Sequence, residues 1–245
     1  MKAIVILAAL TPMVASGLTP EEIVRKMDEN MTFETRIADG TMTVFDTDGS
    51  SEVRKLKIWA RGASDSYVRF VSPARDKGIK YLKREDNLYM YMPRTEKVVK
   101  ISGHMLRQSL MDSDFSYEDM LESRKLLESY GVAIAGEESI DGDQCWVLEL
   151  TAKKAGTTYA RRKLWVSKKT FVARKAERYA KSGVLLKVVL QSRIIQHGER
   201  YYPAVTEMRD TLKKGTRTTF ELSNMRFDVN VPSKLFSRRN LMRGN

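Results

Sequence analysis

Ser102 and His104 are the first residues in this chain whose types and spacing suggest chemistry: a hydroxyl and a base one residue apart. Adjacency in sequence is not a catalytic arrangement, because the base must reach the hydroxyl in space and be oriented by a third group. The other histidine, His197, precedes Gly198 in an expected turn, and a structural or solvent-exposed role is expected for both histidines. The chain contains no Gly-x-Ser-x-Gly elbow, His-Glu-x-x-His pair or phosphate-cradling glycine loop. The paired acids Glu137–Glu138 and Asp112/Asp114 read as solvated charges or turn formers. Asp141 and Asp143 flank Gly142 but lack the further oxygen ligands of a calcium loop. Cys145 is the single cysteine, so neither an intrachain disulfide nor a cysteine-based metal site is available. The expectation is no metal, no cofactor and no covalent chemistry. Ser102 and His104 remain the pair to mutate if a lipid-acting hydrolase is entertained.

The apolar residues carry more information. In Leu88-Tyr89-Met90-Tyr91-Met92-Pro93 the side chains alternate, which puts Leu88, Met90 and Met92 on one face and Tyr89 and Tyr91 on the other. Neither face suits water. A Met-rich stretch follows, with Met105, Leu106, Leu110, Met111 and Phe115 in a segment read as irregular backbone and short helix lying against a sheet. Methionine is flexible and polarizable and suits surfaces that accept ligands of varied shape. Tyr89, Met90, Tyr91, Met92, Trp146 and Trp165 are therefore candidates to line or edge a cavity, and Met105, Leu106, Leu110, Met111 and Phe115 to cover it.

These residues need elements to hold them. Thr19-Pro20-Glu21-Glu22 is a capping box with proline at the first helical position, so a short amphipathic helix is expected from there to Asp28–Asn30. Strand-like runs follow at 32–46, 53–60 and 65–71, then a hairpin over 78–92 and a run at 97–101. A helix is expected over 117–129. Strands resume at 132–139, 143–151, 158–167, 170–180, 184–196, 200–212 and 216–229, separated by turns such as Asp141-Gly142. This is a meander of long antiparallel strands, and a sheet of about ten strands curls because twist accumulates.

Net charge is +12 with 42% hydrophobic residues, which excludes a disordered chain. The basic residues are dispersed along strands without a recognition-helix or zinc-finger pattern, so no nucleic-acid partner is expected. Met1-Lys2, an apolar run from Ala3 to Leu10 and Val14-Ala15-Ser16-Gly17 read as a secretory signal peptide over 1–17. The remainder, 18–245, is expected to be one exported domain that is soluble after signal-peptide removal.

The Thr-Pro-Glu-Glu-Ile helix start resembles the LolA-like outer-membrane lipoprotein-sorting family, as do Gly78-Ile79-Lys80-Tyr81-Leu82, Leu88–Pro93 and Phe115-Ser116-Tyr117-Glu118-Asp119. The resemblance implies a mainly β fold with a few helices: an incomplete curled antiparallel β-barrel with a helical lid over a hydrophobic cavity. It implies a periplasmic carrier that binds acyl chains of lipoproteins or lipids for transfer toward the outer membrane, between an inner-membrane transporter and an outer-membrane acceptor. Two other readings stay open, an envelope interaction, adhesin or sensor protein on the same fold, and the hydrolase above.

Overall fold

The computed structural model describes residues 17–121 and 126–243, so the expected signal peptide lies outside the described residues except for Gly17. Helix α1 (Pro20–Met31) starts where the capping box requires. The Thr19 hydroxyl accepts the Glu22 N–H at 3.2 Å, and the Glu22 carboxylate accepts the Thr19 N–H at 2.7 Å. Ile23, Val24 and Met27 are buried on one face of α1, at the spacing of an amphipathic helix. At its far end the Asn30 amide donates to the Thr170 carbonyl at 2.7 Å and accepts the Tyr201 N–H.

Thirteen strands form one antiparallel sheet. They are β1 (Thr35–Phe45), β2 (Ser51–Arg61), β3 (Asp65–Ser72), β4 (Lys80–Arg84), β5 (Asn87–Met92), β6 (Lys97–Ile101), β7 (Tyr130–Ile140), β8 (Asp143–Ala152), β9 (Arg161–Ser167), β10 (Ala173–Tyr179), β11 (Leu185–His197), β12 (Arg200–Asp210) and β13 (Arg217–Phe227). The order across the sheet is β6-β5-β4-β3-β2-β1-β13-β12-β11-β10-β9-β8-β7. The expected meander is thus two meanders joined at a central seam, where β1 pairs with β13. The sheet is curled and not closed, as the incomplete-barrel expectation required. The β7–β8 hairpin turns on Asp141 and Gly142, both at positive φ (51° and 81°), as a tight two-residue hairpin demands.

This topology leaves β6 and β7 at opposite edges, so the chain between them must cross the sheet. Among the described residues, 102–121 and 126–129 lie over the inner face on that crossing, with a 3-10 turn at Gly103–Arg107 and helical stretches α2 (Tyr117–Leu121) and α3 (Leu126–Ser129). Within the helix expected over 117–129, Tyr117–Leu121 and Leu126–Ser129 are helical, and 122–125 lie outside the described residues. A second cover lies on the outer face. There Phe236, of a 3-10 turn at Ser233–Phe236, and Leu241, of helix α4 (Arg238–Met242), pack with Val231 against Tyr67, Leu82 and Tyr91.

Strand pairing aligns the inner-face residues in rows. One row runs Ala38–Ile58–Val68–Tyr81–Met90–Val99 from β1 to β6. A second runs Leu148–Leu164–Ala176–Val189–Met208–Thr218 from β8 to β13. Each belongs almost wholly to one of two inner-face apolar clusters.

Candidate functional site

A cavity of about 450 Å³ lies against the inner face, beneath Leu110, Phe115, Asp119, Met120 and Leu126 of the crossing segment. Its wall is drawn from both clusters. Met42, Leu56, Ile58, Val68, Phe70 and Tyr81 come from the β1–β4 half, and Leu164, Ala176, Val189, Phe220 and Leu222 from the β9–β13 half. Gly40 shares this face: a Cβ there would lie 2.8 Å from Leu56 Cδ1 and 3.2 Å from Ile58 Cδ1. Its missing side chain lets these two residues pack over the strand. The volume falls within the ~300–1,000 Å³ usual for small-molecule sites, which are likewise apolar with a few placed polar groups.

The crossing segment is fastened by two carboxylates. Asp114 is 1% exposed. It accepts the hydroxyls of Thr216 and Thr218, each at 2.7 Å, and the Asp210 N–H at 3.1 Å. Asp119 of α2 pairs with the Arg178 guanidinium and with Lys187 Nζ at 3.1 Å. It also accepts the Tyr159 hydroxyl at 2.8 Å and the Ser116 N–H at 2.7 Å. Burial acts to raise the Asp119 pKa, but Arg178, Lys187 and these hydrogen bonds outweigh it and hold the carboxyl at about 2.

Arg178 and Lys187 belong to one inner-face row, Leu150–Arg162–Arg178–Lys187–Asp210. Arg162 and Arg178 reach the cavity wall. Arg162 Nε donates to the Tyr130 hydroxyl at 2.9 Å, and its guanidinium lies 4.7 Å from the Tyr130 ring centre and 5.3 Å from that of Tyr159. Burial, with Arg178 beside it, pulls Arg162 down to about 9. Burial also pushes Tyr130 up to about 12. Arg36 and Lys83 line another part of the wall.

The residues singled out from sequence divide by strand parity. Leu110 and Phe115 line the cavity. Met90, Met105, Leu106 and Met111 pack against the same inner cluster without reaching it, and Met90 Sδ lies 4.0 Å from the Tyr117 hydroxyl. Trp146 joins the other inner cluster, its ring 5.5 Å from that of Phe171. Met92 is half-buried at the end of β5, on the Leu88 and Met90 side by alternation. Tyr89 and Tyr91 are not brought to the cavity; they lie on the outer face beneath Phe236 and Leu241. Trp165 is also on the outer side, clustered with Cys145 and Val147. Both faces of β4 and β5 are covered, so apolar character alone did not distinguish cavity from outer core. Ser102 and His104 are exposed, with no hydrogen bond between them among the described residues. Sequence reasoning missed Leu56, Ile58, Phe220 and Leu222, whose short alternating runs resemble any sheet core, and the buried charges Asp119, Arg162 and Arg178. Asp119 stands at the end of the Phe115–Asp119 motif that carried the family resemblance.

A curled, unclosed antiparallel sheet with a covered apolar cavity on its inner face is the LolA-like architecture. The chain superimposes on a DUF1329 family protein from Desulfovibrio piger with a TM-score of 0.83 and 27% identity, over 89% of this chain and 96% of that one. A LolA superfamily protein from Nitrosomonas europaea matches with a TM-score of 0.76 and 25% identity, over 91% and 100%. A domain from Vibrio parahaemolyticus, described as of the outer membrane lipoprotein-sorting kind, shares the fold with a TM-score of 0.82 and 21% identity, over 91% and 97%. No curated protein sequence matches. A family model described as an uncharacterized protein matches residues 62–243, and the chain belongs to that family.

Proposed function

We propose that residues 18–245 act as a single LolA-like domain: a periplasmic carrier that encloses acyl chains of lipids or lipoproteins and passes them toward the outer membrane. The observation that carries this reading is the apolar-walled cavity of about 450 Å³ beneath the crossing segment. Taking an acyl chain out of a membrane costs about 0.8 kcal/mol per methylene, on the order of 10 kcal/mol per chain. A carrier must return most of that through apolar contact, which a fully packed core could not offer. The lipoprotein-sorting description of the Vibrio domain and the LolA superfamily membership of the Nitrosomonas protein support the reading. So does the signal-peptide pattern of residues 1–17. The carrier does no covalent chemistry; its partners are an inner-membrane donor and an outer-membrane acceptor.

The test is native mass spectrometry of the purified mature chain with lipid extraction, followed by titration with a fluorescent fatty acid. Retained or saturably bound acyl ligand is the expected result. Ala176 lies on the cavity wall. Ala176→Phe should weaken binding at least about tenfold while the chain stays folded, because the ring occupies the space a chain would fill. Saturable binding that the folded variant leaves unchanged would place the ligand elsewhere.

A further inference from the structure

We infer that the free edge of β7 is a docking strand for a second copy of this chain, whose own β7 pairs with it antiparallel about a two-fold axis at Ala133. This contact is independent of what the cavity holds.

The two edges of the sheet are finished differently. Among the described residues, no strand pairs with the far side of β6 or of β7. An unpaired edge is a template for another strand, and shortness, lysines, prolines and bulges are what blunt it. β6 is five residues long, and two of the five are the exposed lysines Lys97 and Lys100. β7 is eleven residues long and carries no lysine, arginine or proline. Its only charges are Glu137 and Glu138, and its one bulge falls after Ile134. Before them the edge is uncharged and open: Gly131, Ala133, Ile134 and Ala135 are exposed and Val132 is half-buried. Ile134, at 42% exposure, is a large apolar side chain standing at that edge.

The backbone sets the register. The Lys153 N–H donates to the Ser129 carbonyl at 2.8 Å. Bonding direction alternates along an antiparallel pair, so Gly131 and Ala133 turn their N–H and C=O toward β8. Val132 and Ile134 turn theirs to the open edge. A second β7 centred on Ala133 sets Val132 opposite Ile134 of the second copy, and Ile134 opposite its Val132. Each pair exchanges two bonds, so four free N–H groups and four free carbonyls are satisfied together. Val132 already packs against the inner cluster, and the exposed Ile134 of the other copy comes to rest beside it on the same face. On the outer face Ala133 meets Ala133 and Gly131 meets Ala135, none large enough to obstruct. Any extended peptide could meet the backbone. A second copy also covers Ile134 on both sides of the axis, because residues 131–135 alternate small and β-branched in either direction. Glu137 and Glu138 lie beyond the paired stretch, so no like charges are opposed. The contact is isologous and closes at two subunits.

The experiment is sedimentation equilibrium of the mature chain from about 1 μM to about 1 mM, because so short an edge contact makes a reversible dimer and not a permanent one. A monomer–dimer equilibrium within that range is expected. Ile134→Pro removes an N–H that faces the open edge and leaves the β7–β8 ladder intact, so it should weaken the dimer at least about tenfold. Ile134→Lys, which keeps the backbone bonds and adds an edge charge, should weaken it as well. Ala133→Cys tests the axis. Facing residues in a non-hydrogen-bonded pair have Cα atoms about 4.5 Å apart, within disulfide reach. Under mild oxidation this variant should cross-link to a dimer. Ala135→Cys should not, because its two thiols would stand four residues apart along the strand, about 13 Å. A chain that stays monomeric throughout overturns the assignment. So does a dimer that persists in both folded Ile134 variants, or one that cross-links equally at positions 133 and 135. A synthetic peptide of residues 129–139 is added in a last arm: a chain that binds it yet never dimerises takes a foreign extended strand, and the second copy is ruled out.

Discussion

Asp114 and Thr218 hold each other by a closed pair of hydrogen bonds. The Asp114 backbone N–H donates to Thr218 Oγ1 at 2.9 Å, and the Thr218 hydroxyl donates to Asp114 Oδ2 at 2.7 Å. The two residues are 1% and 0% exposed and join the crossing segment to β13 across 104 residues of sequence. Thr218→Val keeps the shape but removes both bonds, stranding the Asp114 N–H and one lone pair in the interior. A loss of about 1–3 kcal/mol is expected, read as a lower urea midpoint with an unchanged slope. A loss below a few tenths of a kcal/mol would mean that water replaces the hydroxyl.

Asp119 gives the fold an acid-sensitive element. Its folded pKa, about 2, lies below the ordinary 3.8. A depressed carboxyl pKa stabilises the fold above the unfolded value, and that contribution is lost as pH falls through the folded value. The contribution is therefore complete above about pH 5 and fades between pH 4 and 2. Asp119→Asn should cost about 2 kcal/mol near neutrality and flatten the pH dependence of the melting temperature in that window. A variant whose acid limb matches the unmutated chain would contradict the assignment.

Cys145 is 0% exposed and clustered with Val147 and Trp165 on the outer face. Burial, with Asp143 adding to it, pushes the thiol up to about 11. Since the thiolate is the reactive form, the folded chain should resist a disulfide reagent at pH 8 and react with one equivalent only after unfolding in urea. Rapid labelling of the folded chain would show that β8 opens readily.

Gly40 separates two sizes of substitution. Gly40→Ala removes the entropic penalty of a strand glycine, worth about 0.5–1 kcal/mol. The new methyl must displace the tip of Leu56, with which its ideal position is 2.8 Å apart. That tip can move into the cavity, so the net change should stay within about 1 kcal/mol. Gly40→Val adds two methyls that Leu56 and Ile58 must both avoid, and about 1–3 kcal/mol of destabilisation is expected. Thermal melts of the pair decide the point, and equal costs would refute the crowding argument.

Local signals were legible wherever a few neighbouring residues decide the outcome. The Thr19–Glu22 box fixed the start of α1, because both partners of its hydrogen bonds lie within one turn. Asp141-Gly142 marked the β7–β8 hairpin, because only certain residues tolerate the left-handed backbone of a tight turn. Alternation in β5 correctly separated Leu88 and Met90 from Tyr89 and Tyr91. The resemblance then supplied the curled, covered architecture.

Tertiary structure alone decided which face is which. Alternation sorts side chains into two sets but does not name the inner one. Tyr89, Tyr91 and Trp165 turned out to face the outer clusters, because those sides are also covered and apolar. The seam between β1 and β13 pairs Val44 with Thr218, a non-local contact that no neighbouring residue encodes. That seam places β6 and β7 at opposite edges, so the chain joining them crosses the sheet, and its described residues 102–121 and 126–129 lie over the inner face. It also determines that Arg162, Arg178 and Lys187, dispersed in sequence and unremarkable as surface lysines and arginines, meet in one buried row around Asp119. The sequence by itself determined the strands, the turns and their two-sided apolar character, since these depend on residues a few positions apart. Register across thirteen strands depends on pairings along the whole sheet, which no short stretch of sequence encodes.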